Sequence, residues 1–186
     1  QPILWWSPDP RCVFEQGDFR LSRRLRRDLR AASTELRFNT AFGDVIRACA
    51  GPRRYESGTW ITDDMIAAYE DLHAAGWAHS IEIWQETRLV GGLYGLVIGR
   101  AMFGESMFSD EPNASKIALL FLDGLLTHDT LGIVDCQVQS AHLHFLGAKT
   151  LPRAQFTARL ETLCEPPEKF EKWPAGAVQV TDLVQK

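Results

Sequence analysis

Hydrophobic positions along the chain switch between two periods, and the switches mark out the elements. Leu21, Leu25 and Leu29 recur every fourth residue, the spacing of one helical stripe, with arginines on the remaining faces. Phe42 to Cys49 reads as a short helix ended by Gly51-Pro52. Thr62 is placed to cap a helix from Asp63 to Ala75; Asp63 and Asp64 suit its first turn, Gly76 its C-terminus, and Met65, Ile66, Tyr69 and Leu72 its buried side. After Gly76 the period falls to two, with Ser80, Glu82 and Trp84 on one strand face and Ile81 and Ile83 on the other. Glu86-Thr87-Arg88 turns the chain into a second strand, Leu89 to Gly99, interrupted by Gly91, Gly92 and Gly95. Glycines inside a strand mark bulges or close approaches, and these three predict a ligand passing over the sheet. A third strand runs from Ala101 to Phe108 and sets Glu105 among apolar neighbours, where a buried carboxylate needs a cationic or donor partner.

Asn113 is expected to cap the next helix, Ala114 to His128, in which Ile117, Leu120, Phe121 and Leu125 keep apolar spacing. The stretch that organises the rest follows: Gly132-Ile133-Val134-Asp135-Cys136-Gln137-Val138, an oily, β-branched strand. Alternation puts Ile133, Asp135 and Gln137 on one face and turns Val134, Cys136 and Val138 toward core. A carboxylate and a carboxamide two residues apart in such a strand are costly to bury without partners, so the pair is expected to line a cleft or to serve a structural polar network. A short helical piece around Ala141 to Leu146 comes next, then Pro152-Arg153 and an amphipathic stretch with Phe156, Leu160 and Leu163. The last 22 residues, from Glu165, hold three prolines and little periodicity and read as a surface tail.

Three strands in a meander, a helix, a strand, a helix and a last extended piece predict an α+β domain around a mostly antiparallel sheet flanked by helices. That order is similar to the acetyltransferase-like (GNAT-type) superfold, in which two central strands splay apart; by this analogy residues 1–164 form a single catalytic domain and 165–186 the tail. The 186-residue length, with 45% hydrophobic and 24% charged residues, is ordinary for one compact domain. No run approaches the roughly 18 apolar residues of a membrane helix, and a soluble, cytoplasmic protein with no membrane partner is expected. Cys12, Cys49, Cys136 and Cys164 form no C-x-x-C pair and read as reduced thiols, and His142-Leu143-His144 lacks the context of a zinc site. Neither a nucleotide-phosphate loop nor a dinucleotide fingerprint occurs. Alternation turns Cys136 away from Asp135 and Gln137, and a thiol buried in apolar surroundings is inert.

Net charge is −4, but residues 20–30 hold six arginines against one aspartate, a local +5 that leaves −9 for the rest. Such a run is either a solvated helix face or a docking surface for phosphates.

Seven motifs carry a resemblance. In order they are Trp5-Trp6-Ser7-Pro8-Asp9-Pro10-Arg11, Gly58-Thr59-Trp60-Ile61-Thr62, His79-Ser80-Ile81-Glu82-Ile83-Trp84, Gly91-Gly92-Leu93-Tyr94-Gly95, Gly104-Glu105-Ser106-Met107-Phe108-Ser109, Asn113-Ala114-Ser115-Lys116 and Asp135-Cys136-Gln137. Together they resemble the bacterial leucyl/phenylalanyl-tRNA–protein transferases from about residue 2 to 160. The resemblance implies transfer of Leu or Phe from aminoacyl-tRNA to the N-terminal α-amine of proteins beginning with Arg or Lys, marking them for degradation, with no metal and no diffusible cofactor. It implies Asp135 and Gln137 as the central polar pair, Glu105 as the contact for the aminoacyl group, and Leu93 and Met107 as its hydrophobic pocket. Trp60 would lie near the 3′ adenosine, with Ser109 among the substrate-binding positions, and Arg23, Arg24, Arg26, Arg27 and Arg30 would meet the acceptor stem. Family members carry a further N-terminal segment before the Trp-Trp motif, which is expected to be absent here, and Gln139 to Phe145 departs from the family's usual residues. Two alternatives stand beside this reading: a non-catalytic module that binds tRNA ends or N-terminal residues, and a related transferase with another acceptor.

Overall fold

The computed structural model describes residues 7–31, 33–51 and 59–184; Trp5, Trp6 and Gly58 lie outside them. The elements are β1 (Arg11–Phe14), α1 (Arg23–Arg30), β2 (Glu35–Phe38), α2 (Phe42–Ala50), α3 (Asp63–Ala74), β3 (Ala78–Gln85), β4 (Arg88–Ile98), β5 (Ala101–Ser109), α4 (Ala114–Thr127), β6 (Ile133–Gln137), α5 (Ala141–Phe145), β7 (Lys149–Leu151), α6 (Arg153–Leu163), β8 (Val178–Gln179) and α7 (Val180–Leu183). Eight strands form one sheet in the order β7-β1-β6-β5-β4-β3-β2-β8. β5 and β6 run parallel, and the other neighbouring pairs antiparallel. The mixed, mostly antiparallel α+β architecture is the expected one. The long strands and helices agree with the periodic stretches, whereas β1, β2, β7 and β8, of two to four residues, are too short to show a period.

Alternation along the strands sends successive side chains to two different cores. Leu93, Met102 and Val134 join Leu25 and Leu29 of α1, the buried face of α4 and Val180 of α7 in the main core. Tyr94 and Ala78 pack on the opposite face with Phe42, Val45 and Ile46 of α2, while Ala101 and Ile133 meet Phe156 of α6 in a third cluster. The second face is therefore covered in two separate patches.

Glu82, on that second face, is fully buried. Its carboxylate accepts the backbone N–H groups of Thr40 and Ala41 (2.8 Å each), the Thr40 and Ser80 hydroxyls and Trp84 Nε1. Thr40 and Ala41 sit at the start of α2, where a carboxylate also complements the helix dipole, and Ser80 and Trp84 are neighbours on β3. Burial on both faces of β3 thus does not disturb its period of two.

Three expectations are corrected. The glycines of β4 make room for protein, not ligand: a Cβ at Gly91 would collide with Ala114 of α4, one at Gly92 would crowd Val45 and Phe108, and one at Gly95 would meet the Phe103 carbonyl at a bulge. Asn113 precedes α4 but does not cap it. It adopts φ +72°, and its side chain accepts from Lys116 Nζ (2.8 Å). Lastly, residues 165–184 are no surface tail: Phe170, Val180 and Val184 are buried in the main core, and β8 pairs with β2. Trp173 Nε1 donates to His79 Nδ1 (3.0 Å), and its ring stacks on Phe38 at 5.6 Å. These contacts are all distant in sequence, so single apolar residues scattered among prolines left no local period to read.

Replacing Phe170 by Ala should lower the unfolding free energy in urea by about 3–5 kcal/mol. A surface tail would predict a change within roughly 0.5 kcal/mol.

Candidate active site where two parallel strands part

β5 and β6 pair only over Ala101↔Ile133, Met102↔Val134 and Phe103↔Asp135. Beyond that the strands separate, and the residues at the split hold it in shape. Asp135 is fully buried, and Arg11 of β1 clamps it in a bidentate pair, Nε to Oδ1 at 2.9 Å and Nη2 to Oδ2 at 2.7 Å. The guanidinium also lies over the Phe156 ring, 5.3 Å from its centroid. Asp135 Oδ1 accepts the backbone N–H of Gln137 at 2.9 Å.

Gln137 itself leaves strand geometry. Its φ is +63°, and the N–H of Val138 bonds back to the Cys136 carbonyl at 2.8 Å, closing a γ-turn centred on Gln137. A non-glycine residue there is strained and persists where its surroundings hold it, which is common at functional sites. Here the holders are the Asp135 carboxylate behind it and the two acceptors of its carboxamide, Gly104 O and Glu105 Oε2, both at 3.1 Å.

Glu105 has a phenol on its other side. Burial pushes its carboxyl above the ordinary range, only partly offset by hydrogen bonds from Tyr69 of α3 and from Gln137. Burial and the Glu105 carboxyl together raise the Tyr69 phenol well above normal, so it is a lasting donor. Tyr69, Glu105 and Gln137 form one chain of hydrogen bonds from α3 across β5 to β6.

Two hollows flank this chain and share Gly104 to Met107 and Cys136 as a common wall. The larger, of about 660 Å³, also has Cys49 of α2, Trp60, Ser109, Gln137 and Val138 in its lining. Its size is that of a ligand site. The smaller, of about 240 Å³, is walled by Leu93, Met107, Leu119, Val134 and Leu143 and is mostly apolar.

The structure thus brings together Gln137, Glu105, Met107, Leu93, Trp60 and Ser109 around one split. Trp60 is 47% exposed, and Ser109 Oγ donates to the Glu111 carbonyl (2.9 Å). Of the two expectations for Asp135 the structure bears out the polar network and not the cleft: it lines neither hollow, and its contact with Gln137 is through backbone. Val138 is 62% exposed instead of turned to core, because the γ-turn ends the alternation. Cys136 touches both hollows, but burial raises its thiol far above the normal range and keeps it protonated. Among the described residues no group of three His, Cys, Asp or Glu is arranged to hold a metal ion. Nor is any helix among them long and apolar enough to cross a membrane.

The α1 arginines lie away from both hollows. Ser22 caps the helix by accepting from Leu25 N–H (3.2 Å), Leu25 and Leu29 are buried, and Arg23, Arg24, Arg27 and Arg30 are exposed. Asp28 pairs with Arg24 and Arg27. Arg26 and Arg30 both donate to the Val184 carbonyl, at 3.4 and 3.3 Å, and so tie down the end of α7.

Sequence reasoning missed Arg11 and Tyr69 as parts of the site. Arg11 stood in a quoted motif, yet nothing local paired it with a residue 124 positions away. Tyr69 fitted the apolar stripe of α3 and was read as packing.

The fold and the site are thus those of an α+β chain with a polar cleft at the parting of two parallel strands and an apolar pocket beside it. Comparison with known proteins narrows this. The family model for leucyl/phenylalanyl-tRNA protein transferase matches residues 13–161. Proteins of that name are 52% identical over 173 residues in Thiobacillus denitrificans (93% of this chain, 76% of that protein), 48% over 171 in Nitrosomonas eutropha (92% and 73%) and 50% over 167 in Pseudomonas aeruginosa (90% and 74%). The chain belongs to the leucyl/phenylalanyl-tRNA–protein transferase family.

Two stability measurements check the geometry. Arg11→Met strands a buried carboxylate and should cost about 3–5 kcal/mol. Arg11→Met combined with Asp135→Leu should be more stable than Arg11→Met alone. Glu105 gives a pH signature: with a raised folded-state pKa, its contribution to stability is fully present below the ordinary carboxylate range and is lost as pH rises through the folded value. Glu105→Gln should therefore gain on the wild type at pH 8, and the gain should vanish below about pH 4. Urea unfolding at the two pH values reads it.

Proposed function

We propose that the cleft transfers Leu or Phe from the 3′ end of a tRNA to the α-amine of proteins that begin with Arg or Lys, the step that marks them for degradation. The observation that carries this reading is the seat of Gln137: a strained, multiply held carboxamide at the mouth of a split, beside an apolar hollow sized for one side chain. The split itself favours an acetyltransferase-like arrangement of the sheet. A tRNA-borne donor places the reaction in the cytoplasm.

The chemistry asks little of the protein. The ester is already activated, and an α-amine with a pKa near roughly 8 is partly neutral at physiological pH. The amine nitrogen attacks the ester carbonyl, the bond to the ribose oxygen breaks, and one amine proton ends on that oxygen. Positioning and stabilisation of the oxyanion supply the acceleration. A carboxamide is too weak a base to hold a proton, so Gln137 hydrogen-bonds the amine or the reacting carbonyl. Asp135, neutralised by Arg11 and out of reach of substrate, is a positioning residue that fixes the Gln137 backbone. Glu105, with Tyr69 behind it, receives the aminoacyl group's polar end. Leu93 and Met107 take its side chain. In the larger hollow Trp60 stacks the terminal adenosine, with Ser109 at the edge. On α1, Arg23, Arg24 and Arg27 meet phosphates, while Arg26 and Arg30 divide their donors between phosphate and the α7 carbonyl.

Labelled Leu and Phe on tRNA, offered to peptides beginning with Arg, Lys or Ala, test the reading. Product should form on Arg and Lys but not on Ala, and Gln137→Ala should lower kcat about 100-fold or more. Unchanged turnover in Gln137→Ala would remove it from the mechanism, and tight binding of charged tRNA without product would favour a binding module. Replacing Arg23, Arg24 and Arg27 together by Ala should weaken tRNA binding and flatten its log–log salt dependence by roughly two to three.

A further inference from the structure

The smaller hollow has walls of two kinds. Leu93, Leu119 and Val134 are no more than 3% exposed and belong to the main core, so their size is constrained by everything packed behind them. The facing wall is α5, a five-residue helix whose Ser140, His142 and Leu143 border the hollow. Its outer side is open: Ala141, His144 and Phe145 are exposed, His142 is exposed at the rim of the hollow, and Leu143 is half-buried against the rim of the core. The helix is nonetheless held. Ser140 Oγ accepts the Leu143 N–H (3.2 Å), and the Leu143 carbonyl accepts the Ala148 N–H (3.0 Å). Burial and the nearby Lys116 hold the His142 imidazole below its ordinary pKa. At neutral pH the α5 wall is therefore uncharged, with Leu143 as its apolar member.

We infer that Leu143 sets the size of the aminoacyl side chain this protein accepts. The inference rests on the smaller hollow being the aminoacyl pocket. Of the apolar wall, Leu93, Leu119 and Val134 are core and cannot change without cost to the whole domain, and Met107 lies half-buried against that core, whereas Leu143 is one leucine on a short surface helix. Shortening that side chain extends the hollow toward α5; lengthening it closes the hollow. Discrimination by one or two carbon atoms in an apolar pocket is worth roughly 10- to 200-fold.

The test uses the intact chain, an acceptor peptide beginning with Arg, and competing tRNAs charged with Leu, Phe or Trp. Leu143→Ala should raise the Phe-to-Leu ratio of kcat/KM about tenfold and admit Trp, and Leu143→Phe should lower the same ratio by a similar factor. Phe145→Ala, on the same helix but outside the hollow and 68% exposed, should leave the ratio unchanged. Shifts of opposite sign in the two Leu143 variants cannot come from general loosening of α5, which would move both the same way. Active Leu143 variants that keep the wild-type ratio, beside a wild type selective for Leu and Phe, would overturn the inference. A wild type that transfers all three esters equally would instead overturn the reading of the hollow on which it rests.

Discussion

The ion pair between Arg11 and Asp135 is the contact on which the site depends. It joins β1 to β6 across 124 residues, with the carboxylate fully buried and the guanidinium nearly so. Desolvating two charges is expensive, and such a pair adds little net stability over an apolar replacement. Its return is geometric. A bidentate fork fixes the carboxylate in one orientation, and the fixed carboxylate holds the backbone N–H of Gln137 in a conformation that an unsupported glutamine would leave. The split between β5 and β6 begins at Asp135, so the same residue ends the parallel ladder and begins the cleft.

Burial is used again, differently, one strand away. Glu105 is pushed toward its neutral form by desolvation but has no cation in direct contact among the described residues; Tyr69 and Gln137 support it instead. A carboxyl balanced in this way responds to whatever charge the substrate brings. Glu82, by contrast, is satisfied by five donors, three at the head of α2 and two on its own strand, and serves the fold. Two fully buried acids and one half-buried acid in one sheet thus have three kinds of partner: a guanidinium, a set of N–H and O–H groups, and, for Glu105, a mixed phenol and carboxamide. Partner chemistry and exposure together separate the two sealed acids from the one that lines the hollows.

The apolar side of the site follows the same economy. The pocket beside the split is mostly main core, so its rigidity needs no separate device, and the part that faces solvent is a helix of five residues. Packing of the C-terminal segment supports the opposite end of the molecule, where α7 rests against α1 and two of the α1 arginines bond its last carbonyl. A helix rich in arginine can therefore serve two ends at once, with some guanidinium groups turned inward to the fold and others left in solvent.

What the sequence alone determined is what short-range pattern encodes. Periods of two and of about four located β3, β4, β5, α1 to α4 and α6; Thr62 caps α3 through local geometry; and the order of motifs named the family and most of the residues round the cleft. Alternation could place Asp135 and Gln137 on one face only so long as the chain stayed a strand. The γ-turn at Gln137 is invisible to that rule because it is imposed by Arg11, Asp135, Gly104 and Glu105, which come from distant parts of the chain. Tertiary structure alone decided that Asp135 is sealed behind Arg11, that the β4 glycines make room for neighbouring helices and for β5, that Tyr69 belongs to the site, and that Phe170, Val180 and Val184 complete the core. In each case the deciding contact is a packing or hydrogen-bond partner far away in sequence, and no local period reports it.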